Sequence, residues 1–157
     1  MLLRLLATGV LATTLVLPVS PAGAANTGSA SVSLIAQSPW IADDGDLALD
    51  LRITGAADEA KLVLQLHRAV DRRSLLTLWD EMPDSPLGTP VEIPVAEVRN
   101  SAGVASLVLQ VGTEGRLGSR PGGVYPLSVT LVNDQGYLLD LLTTPLVHLP
   151  EVPEGQA

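Results

Sequence analysis

Residues 47–54 are LALDLRIT, a stretch in which Leu or Ile alternates with a small, charged or hydroxylated residue. Side chains along a β-strand point to opposite faces in turn, so this alternation gives one strand an apolar face and a solvated face. Such a strand belongs to an antiparallel sheet that is packed on one side and wet on the other. Residues 62–66 repeat the pattern with Leu62, Leu64 and Leu66. The two stretches predict an antiparallel all-β fold.

Five further strands are predicted from strand-like stretches, with turn residues between them. Pro90 and Pro94 flank one of these strands, which keeps it short and places it at a sheet edge. About seven strands with turns roughly every dozen residues are typical of an antiparallel β-sandwich of immunoglobulin or fibronectin type, and this is the fold class we predict. The additional strands are predicted at residues 32–37, 91–93, 107–111, 127–132 and 137–149.

Two segments depart from the strand pattern. Apolar residues at helical spacing after Asp71 predict one short inserted helix over residues 72–80. Trp79 on this helix is expected in the core, with an interface anchor as the alternative. Residues 112–123 are rich in glycine and carry Arg116 and Arg120, so we expect a long surface loop there.

The N-terminus carries the three-part pattern of a secretory signal peptide. Arg4 precedes an apolar stretch from Leu5 to Leu17, and residues 22–24 supply the small side chains that a signal peptidase recognises. This stretch of about 13 apolar residues is shorter than the roughly 20 that a membrane-spanning helix needs. We therefore expect cleavage after Ala24, no transmembrane segment afterwards, and a secreted or extracytoplasmic location.

The predicted domain plan contains a single folded unit. It consists of a signal peptide over residues 1–24, a flexible lead-in over 25–30, a β-sandwich domain over 31–149 and a disordered tail over 150–157. Removing the leader leaves roughly 133 residues, which suffice to bury a core without disulfides or metal. The chain has no Cys, and an exported chain without cystine indicates a bacterial envelope.

Charge and aromatic content restrict the partners that the chain can bind. The formal net charge of −8 repels phosphate backbones and anionic headgroups, so we expect no nucleic-acid partner. Sugar-binding faces and protein hot spots depend on exposed aromatic side chains, and few are present here. The chain has no Phe, and its aromatic residues are Trp40, Trp79, Tyr125 and Tyr137.

No arrangement of residues in the sequence indicates an enzyme. The chain has neither a Cys nor a Ser in a Gly-x-Ser-x-Gly turn, and its candidate bases are His67 and His148. We expect both histidines at ordinary surface or edge positions. Two distant His without Cys do not make a zinc site. We assign no catalytic, cofactor-binding or metal-binding residues, and no cofactor.

The acidic residues also have an ordinary interpretation. Three aspartates in one turn could supply oxygens to calcium, but the Glu that closes an EF-hand loop is missing, which favours a plain interstrand turn. No catalytic carboxylate pair can be chosen among the other acidic residues, which are compatible with a solvated surface. The residues concerned are Asp43, Asp44 and Asp46 in the turn, and Glu92, Glu97, Glu114 and Asp140 elsewhere.

Several short motifs occur together in a recognisable order. They are Ser38-Pro39-Trp40 before an acidic turn, Arg72-Arg73-Ser74 leading to Leu78-Trp79, and Gly123-Val124-Tyr125-Pro126-Leu127 before the turn Asp134-Gln135-Gly136. Over about Val32 to Leu149 the chain resembles the N-terminal region of a family of large exported actinobacterial envelope proteins of unknown function. Genes of that family lie beside the gene of a lipid II flippase. The resemblance implies an envelope location and carries over no catalytic residue. Members of the family are longer and end in a transmembrane anchor, so we expect a leading domain or a truncated copy.

These observations predict a non-catalytic exported β-sandwich module of the bacterial cell envelope that mediates protein contact or spacing. We expect the edge strands and the 112–123 loop to form the contact surface through backbone pairing, with an envelope protein or a peptidoglycan-related glycan as partner. The alternative is a small glycan-binding module, which requires Trp40 or Tyr125 to be exposed in a groove. A secreted hydrolase is the third hypothesis, and it requires His67 or His148 beside a carboxylate.

Overall fold

The computed structural model describes residues 29–42, 45–70 and 83–150. Within these residues the chain forms seven β-strands and one short helix. The predicted signal peptide, the 72–80 helix with Trp79, and the tail beyond residue 150 lie outside the described residues. The elements are β1 (Ser31–Gln37), β2 (Asp46–Thr54), β3 (Lys61–His67), β4 (Pro86–Pro94), α1 (Val95–Val98), β5 (Val104–Gln110), β6 (Gly123–Val132) and β7 (Leu138–His148).

The strands form two antiparallel sheets, which confirms the predicted all-β sandwich. One sheet has three strands in the order β1-β2-β5, and the other has four in the order β4-β3-β6-β7. In constant-type immunoglobulin domains the fourth strand joins the sheet of the first two strands. Here β4 pairs with β3 instead, so that β1, β5, β4 and β7 are the four edge strands.

The core lies between the sheets and is built almost entirely from aliphatic side chains. The alternating residues of 47–53 and 62–66 are each no more than 1% exposed, as their spacing predicts. Leu127, Val129 and Leu131 of β6 are fully buried beside them. Each buried Leu or Val contributes roughly 1.5–3 kcal/mol from the removal of apolar surface from water. Leu therefore supplies here the volume that Phe provides in other sandwich cores.

The edge strand β4 is longer than the predicted 91–93. Its register with β3 shifts between Leu64 and Leu66, and this irregularity lets the strand continue back past Pro90 to Pro86. The structure places β4 at the edge of its sheet, as the flanking prolines predicted. Its edge position accommodates prolines because a missing N–H costs nothing where no neighbouring strand follows.

The one-turn helix α1 was not predicted, and tertiary contacts explain it. Val95 is fully buried, and its N–H donates to the Ala60 carbonyl at 2.9 Å. Just after the helix, the Arg99 guanidinium donates to the Ala56 carbonyl at 2.7 Å and pairs with Asp58. The helix is therefore held by burial and by Arg99, since four residues are too few for a stable helix of their own.

The segment predicted as a surface loop at 112–123 is partly buried. Leu117 is 2% exposed and Ser119 is 1% exposed. The Tyr125 hydroxyl holds the end of the segment, because it accepts the Arg120 N–H at 3.0 Å and donates to the Arg120 carbonyl at 2.9 Å. This arrangement is the tyrosine corner of β-sandwiches. Gly123 is required beside it, since a Cβ there would lie 2.5 Å from the Tyr125 ring.

Candidate functional site: the β1–β7 side

Large exposed hydrophobic side chains are concentrated on one side of the sandwich. Of the eight such side chains among the described residues, seven belong to β1, β7 or the residues next to them, and the eighth is Val108 on β5. We call the surface formed by β1, Ser38–Ile41, Tyr137, β7 and Leu149 the β1–β7 side. Its exposed hydrophobic side chains are Leu34, Ile35, Trp40, Tyr137, Leu138, Leu139 and Leu149.

Hydrogen bonds between the two sheets bring β1 and β7 together. The Val32 N–H donates to Asp140 Oδ2 at 2.8 Å, and five residues later the Gln37 side-chain amide donates to the Pro145 carbonyl at 2.7 Å. The contacts advance together along both strands, so β1 runs beside β7 in the same direction. Ile35 lies between these two contacts and is 47% exposed.

Asp140 acts as a clasp between the two sheets. Its Oδ2 accepts the N–H of Val32 in the three-stranded sheet, and its Oδ1 accepts the N–H of Leu141 in the four-stranded sheet at 2.9 Å. The prediction that Asp140 belongs to a solvated acidic surface was therefore only partly right. The carboxylate is half-buried, and both of its oxygens accept hydrogen bonds. A carboxylate is a strong acceptor for backbone N–H groups, so it closes both edges at this point.

The other end of the β1–β7 side is closed by residues 37–41. Gln37 Oε1 accepts the Thr144 hydroxyl at 2.6 Å, while the opposite end of the same amide holds the Pro145 carbonyl. The Ile41 N–H donates to the Val147 carbonyl and the Ile41 carbonyl accepts the Leu149 N–H, both at 2.8 Å. Hydrogen bonds therefore tie residues 37–41 to the end of β7, while Trp40 and Leu149 remain exposed.

β1 contains a bulge at Ile35. The register between β1 and β2 shifts between Leu34 and Ala36, which leaves Ile35 without an opposing residue. Alternation from the buried Val32 already places Ile35 on the outward face of the strand. The bulge bends the strand at this point.

The β1–β7 side carries almost no charge. Residues 27–42 contain no Asp, Glu, Lys or Arg, and residues 137–149 contain only Asp140, which is the clasp. The whole chain has a formal net charge of −8. An apolar surface without charge on an acidic protein has the composition of an interface core.

The histidines occupy different positions from those expected. His67 lies on the polar face of β3 as the alternation indicates, but it is 4% exposed, and its Nε2 lies 2.9 Å from Ser128 Oγ. His148 ends β7 as predicted but is 1% exposed, and its Nδ1 lies 2.8 Å from Ser119 Oγ. The prediction of surface positions was wrong for both side chains, because His67 is buried beside Ser128 and His148 is buried beside Ser119 of the 112–123 segment, although β7 is an edge strand.

Among the described residues, the His67–Ser128 pair lacks the third group of a catalytic triad. A triad needs a third group that orients the base, and His67 Nδ1 is buried without a hydrogen-bond partner among the described residues. Burial lowers the pKa of His67 below its ordinary value of 6.5, because the charged form loses its hydration. The pair is therefore a buried polar contact between β3 and β6.

The aromatic residues considered for glycan binding are in different environments. Trp40 is 57% exposed, whereas Tyr125 is 7% exposed and is used by the tyrosine corner. Tyr137 is 68% exposed and precedes β7, while Trp40 lies beside the end of β7. About ten residues of extended strand put the two exposed rings roughly 30 Å apart. They cannot line one sugar-sized groove.

The candidate metal ligands do not assemble in the described part of the chain, where no group of three or more His, Cys, Asp or Glu side chains comes together. Asp43 and Asp44 lie outside the described residues. Glu92 pairs with Lys61 at 3.3 Å on the exposed surface. No helix within the described ranges is long and apolar enough to cross a membrane.

Sequence reasoning missed the hydrogen bonds of Asp140 and Gln37 between the two sheets, which we call the two clasps. One signal for the β1–β7 side was nevertheless present. The uncharged run over residues 27–42 could have marked β1 as unusual in an acidic chain. Asp140 and Gln37 gave no such signal, because their partners lie 108 residues away in the sequence.

No protein-family model and no curated protein matches this chain. The resemblance to the actinobacterial envelope family stays a prediction, carried by its short motifs.

Proposed function

We propose that the chain is a non-catalytic exported β-sandwich module of the bacterial cell envelope that binds protein through its β1–β7 side. One observation carries the proposal: seven of the eight large exposed hydrophobic side chains among the described residues lie on this side. Scattered apolar side chains are normal on protein surfaces, but a contiguous apolar patch marks an interaction site.

The free energy of the contact comes from apolar burial. Covering exposed hydrophobic surface gains roughly 25 cal/mol per Å², and Trp40, Ile35 and Leu138 each expose about half of their surface. Large aromatic and aliphatic side chains of this kind form the energetic centre of interfaces. Asp140 and Gln37 occupy backbone groups of both strands, so we expect contact through side chains rather than the backbone pairing predicted from the sequence.

Export and envelope location rest on the leader pattern of residues 1–24 and on the absence of Cys. The family resemblance points to the same location. Amino-terminal sequencing of the exported protein tests this part, with Ala25 as the expected first residue. An intact N-terminus on protein recovered from the cytoplasm would contradict it.

A small glycan-binding module is the second candidate, favoured by the exposed Trp40 alone. It predicts that peptidoglycan fragments quench Trp40 fluorescence and that Trp40→Phe removes the response. Protein contact is better supported, because the exposed residues around Trp40 are aliphatic and do not stack on sugars.

A paired substitution tests the protein-contact proposal. Ile35→Asp puts a charge in the centre of the β1–β7 side, and Val108→Asp puts the same charge at a 69% exposed position on β5. Wild type and Val108→Asp are expected to retain one defined protein partner from cross-linked envelope, and Ile35→Asp to lose it. Equal capture by all three proteins, with matching circular dichroism spectra, would overturn the proposal.

A further inference from the structure

We propose that the β1–β7 side binds a second copy of this chain, in an antiparallel, two-fold symmetric dimer. The inference rests on the proposed function, since it names the partner of the same surface. A two-fold interface requires a surface that is complementary to itself. Four features support this partner. They are the near symmetry of the exposed side chains, the low charge of the surface, the hydrogen bonds between β1 and β7, and the area of the surface.

The exposed side chains on the β1–β7 side are arranged nearly symmetrically about Ile35. At one end Tyr137 stands beside Leu138, and at the other end Trp40 stands beside Leu149. Ile35 lies midway between the contacts that β1 makes to Asp140 and to Pro145. Each end therefore carries one aromatic side chain and at least one Leu, with Leu139 as a second Leu at the Tyr137 end.

A two-fold axis beside Ile35 makes these ends complementary. Two copies placed antiparallel bring Ile35 against Ile35, and Tyr137 with Leu138 of one copy against Trp40 with Leu149 of the other. Aromatic side chains pack well against each other and against aliphatic ones, with gains beyond burial of area for aromatic pairs. A parallel dimer, whose two-fold axis runs along the strands, would instead place like ends together.

Charge also favours a second copy. Two chains of net charge −8 repel each other over most of their surfaces. On the β1–β7 side the repulsion is smallest, because its sole carboxylate, Asp140, is half-buried and bonded to two backbone N–H groups. Self-association is therefore directed to this side.

The area of the surface matches that of a dimer interface. From Tyr137 to Leu149 the strand spans roughly 40 Å, and two sheet edges about 10 Å apart with their side chains give a width of roughly 20 Å. The product is about 800 Å², which matches the roughly 800 Å² that each partner contributes to a standard interface. The clasps stay closed in this dimer, since only side chains meet.

Analytical ultracentrifugation of the full chain, purified from a bacterial host that exports it, tests the proposal. Wild type and Val108→Asp are expected to sediment as dimers. Ile35→Asp is expected to sediment as a folded monomer, with a dimer dissociation constant raised about 100-fold or more because two charges would be buried. A wild-type monomer at the highest soluble concentration overturns the dimer, as does a dimer that Ile35→Asp leaves intact.

Engineered cysteines test the arrangement, since the chain has none of its own. Ile35→Cys is expected to form a disulfide-linked dimer on mild oxidation, whereas Val108→Cys is not. A mixture of Leu138→Cys with Trp40→Cys is expected to cross-link, while each alone stays uncrosslinked, because a disulfide needs Cα atoms within about 7 Å. Efficient self-linking of Leu138→Cys, or equal linking through Val108→Cys, contradicts the antiparallel dimer.

The two proposals fail in different ways. If the chain is monomeric but Ile35→Asp still abolishes capture of another envelope protein, the dimer is overturned and the proposed function stands. If Ile35→Asp changes neither self-association nor capture, the β1–β7 side is not a contact surface and both proposals fall.

Discussion

The two long sides of the sandwich close their strand edges by different means. On the side of β4 and β5, prolines and turns do so. β4 contains Pro86, Pro90 and Pro94, which have no N–H to offer. At the start of β5, the Val104 carbonyl accepts the Asn100 N–H, and the Val104 N–H donates to Asn100 Oδ1. At the end of β5, the Gln110 carbonyl accepts the Leu117 N–H.

On the β1–β7 side, long-range hydrogen bonds perform the same task. Asp140 and Gln37 satisfy backbone groups of both sheets, and Ile41 continues the pairing to the end of β7. Both sides thus resist strand addition, the usual hazard of edge strands. They differ in what is left exposed: the charged residues Glu92, Glu97 and Arg116 border the groove between β4 and β5, whereas apolar side chains cover the β1–β7 side. One side is charged, and the other is suited to apolar contact.

The largest effect is expected from breaking the Asp140 clasp. Asp140→Ala leaves two backbone N–H groups without their acceptor, and we expect a loss of about 2–3 kcal/mol in the free energy of unfolding. Chemical denaturation measures this loss. The control on the opposite side is Glu92→Ala, which removes an exposed ion pair with Lys61 and should change stability by less than about 0.5 kcal/mol. Equal losses in the two variants would contradict the difference between the sides.

A smaller effect is expected from the second clasp. Gln37→Ala removes the hydrogen bonds to Pro145 and Thr144, and we expect a loss of about 1 kcal/mol because the exposed part of the site lets water replace one bond. Gln37→Glu tests the polarity of the contact, since a carboxylate cannot donate to the Pro145 carbonyl. Wild-type stability in Gln37→Glu would show that this donor is not needed.

The smallest effect is expected from the pH dependence of stability and concerns His67, which is buried between the two long sides on the polar face of β3. His67 has a pKa below 6.5 in the folded state because burial disfavours its charged form, so the unfolded chain binds the proton more readily. Its contribution to stability is fully present above pH 6.5 and is lost as the pH falls from there towards the folded pKa. His67→Gln should therefore flatten the dependence of unfolding free energy on pH in this window. An unchanged slope would exclude His67 as its source.

Much of the fold could be predicted from local patterns in the sequence. Alternation fixed β2 and β3, prolines marked β4 as an edge strand, and the turn at residues 133–136 joined β6 to β7. Each of these signals lies within about ten residues, where backbone geometry and side-chain period act directly. The short helix α1 lacked such a signal, because the burial of Val95 depends on packing rather than on helix propensity.

The candidate surface was harder to predict, because it is assembled from segments far apart in the chain. Alternation from Val32 places Ile35 outside, but its position at a bulge depends on the pairing of β1 with β2. Leu138 and Trp40 share a surface only because β7 folds back beside residues 37–41. The uncharged run over residues 27–42 indicated that β1 is unusual, but no local pattern indicated that apolar side chains of β7 lie beside it.

Radical footprinting of the chain in its envelope tests whether the β1–β7 side is a contact surface, because oxidation by hydroxyl radicals reports the solvent access of individual side chains. If the β1–β7 side is a contact surface, Trp40 and Tyr137 of wild type are oxidised much more slowly than in Ile35→Asp, while the rate at Val108 is the same in both. Equal rates at Trp40 and Tyr137 in the two proteins would show that this side faces solvent and would contradict the account.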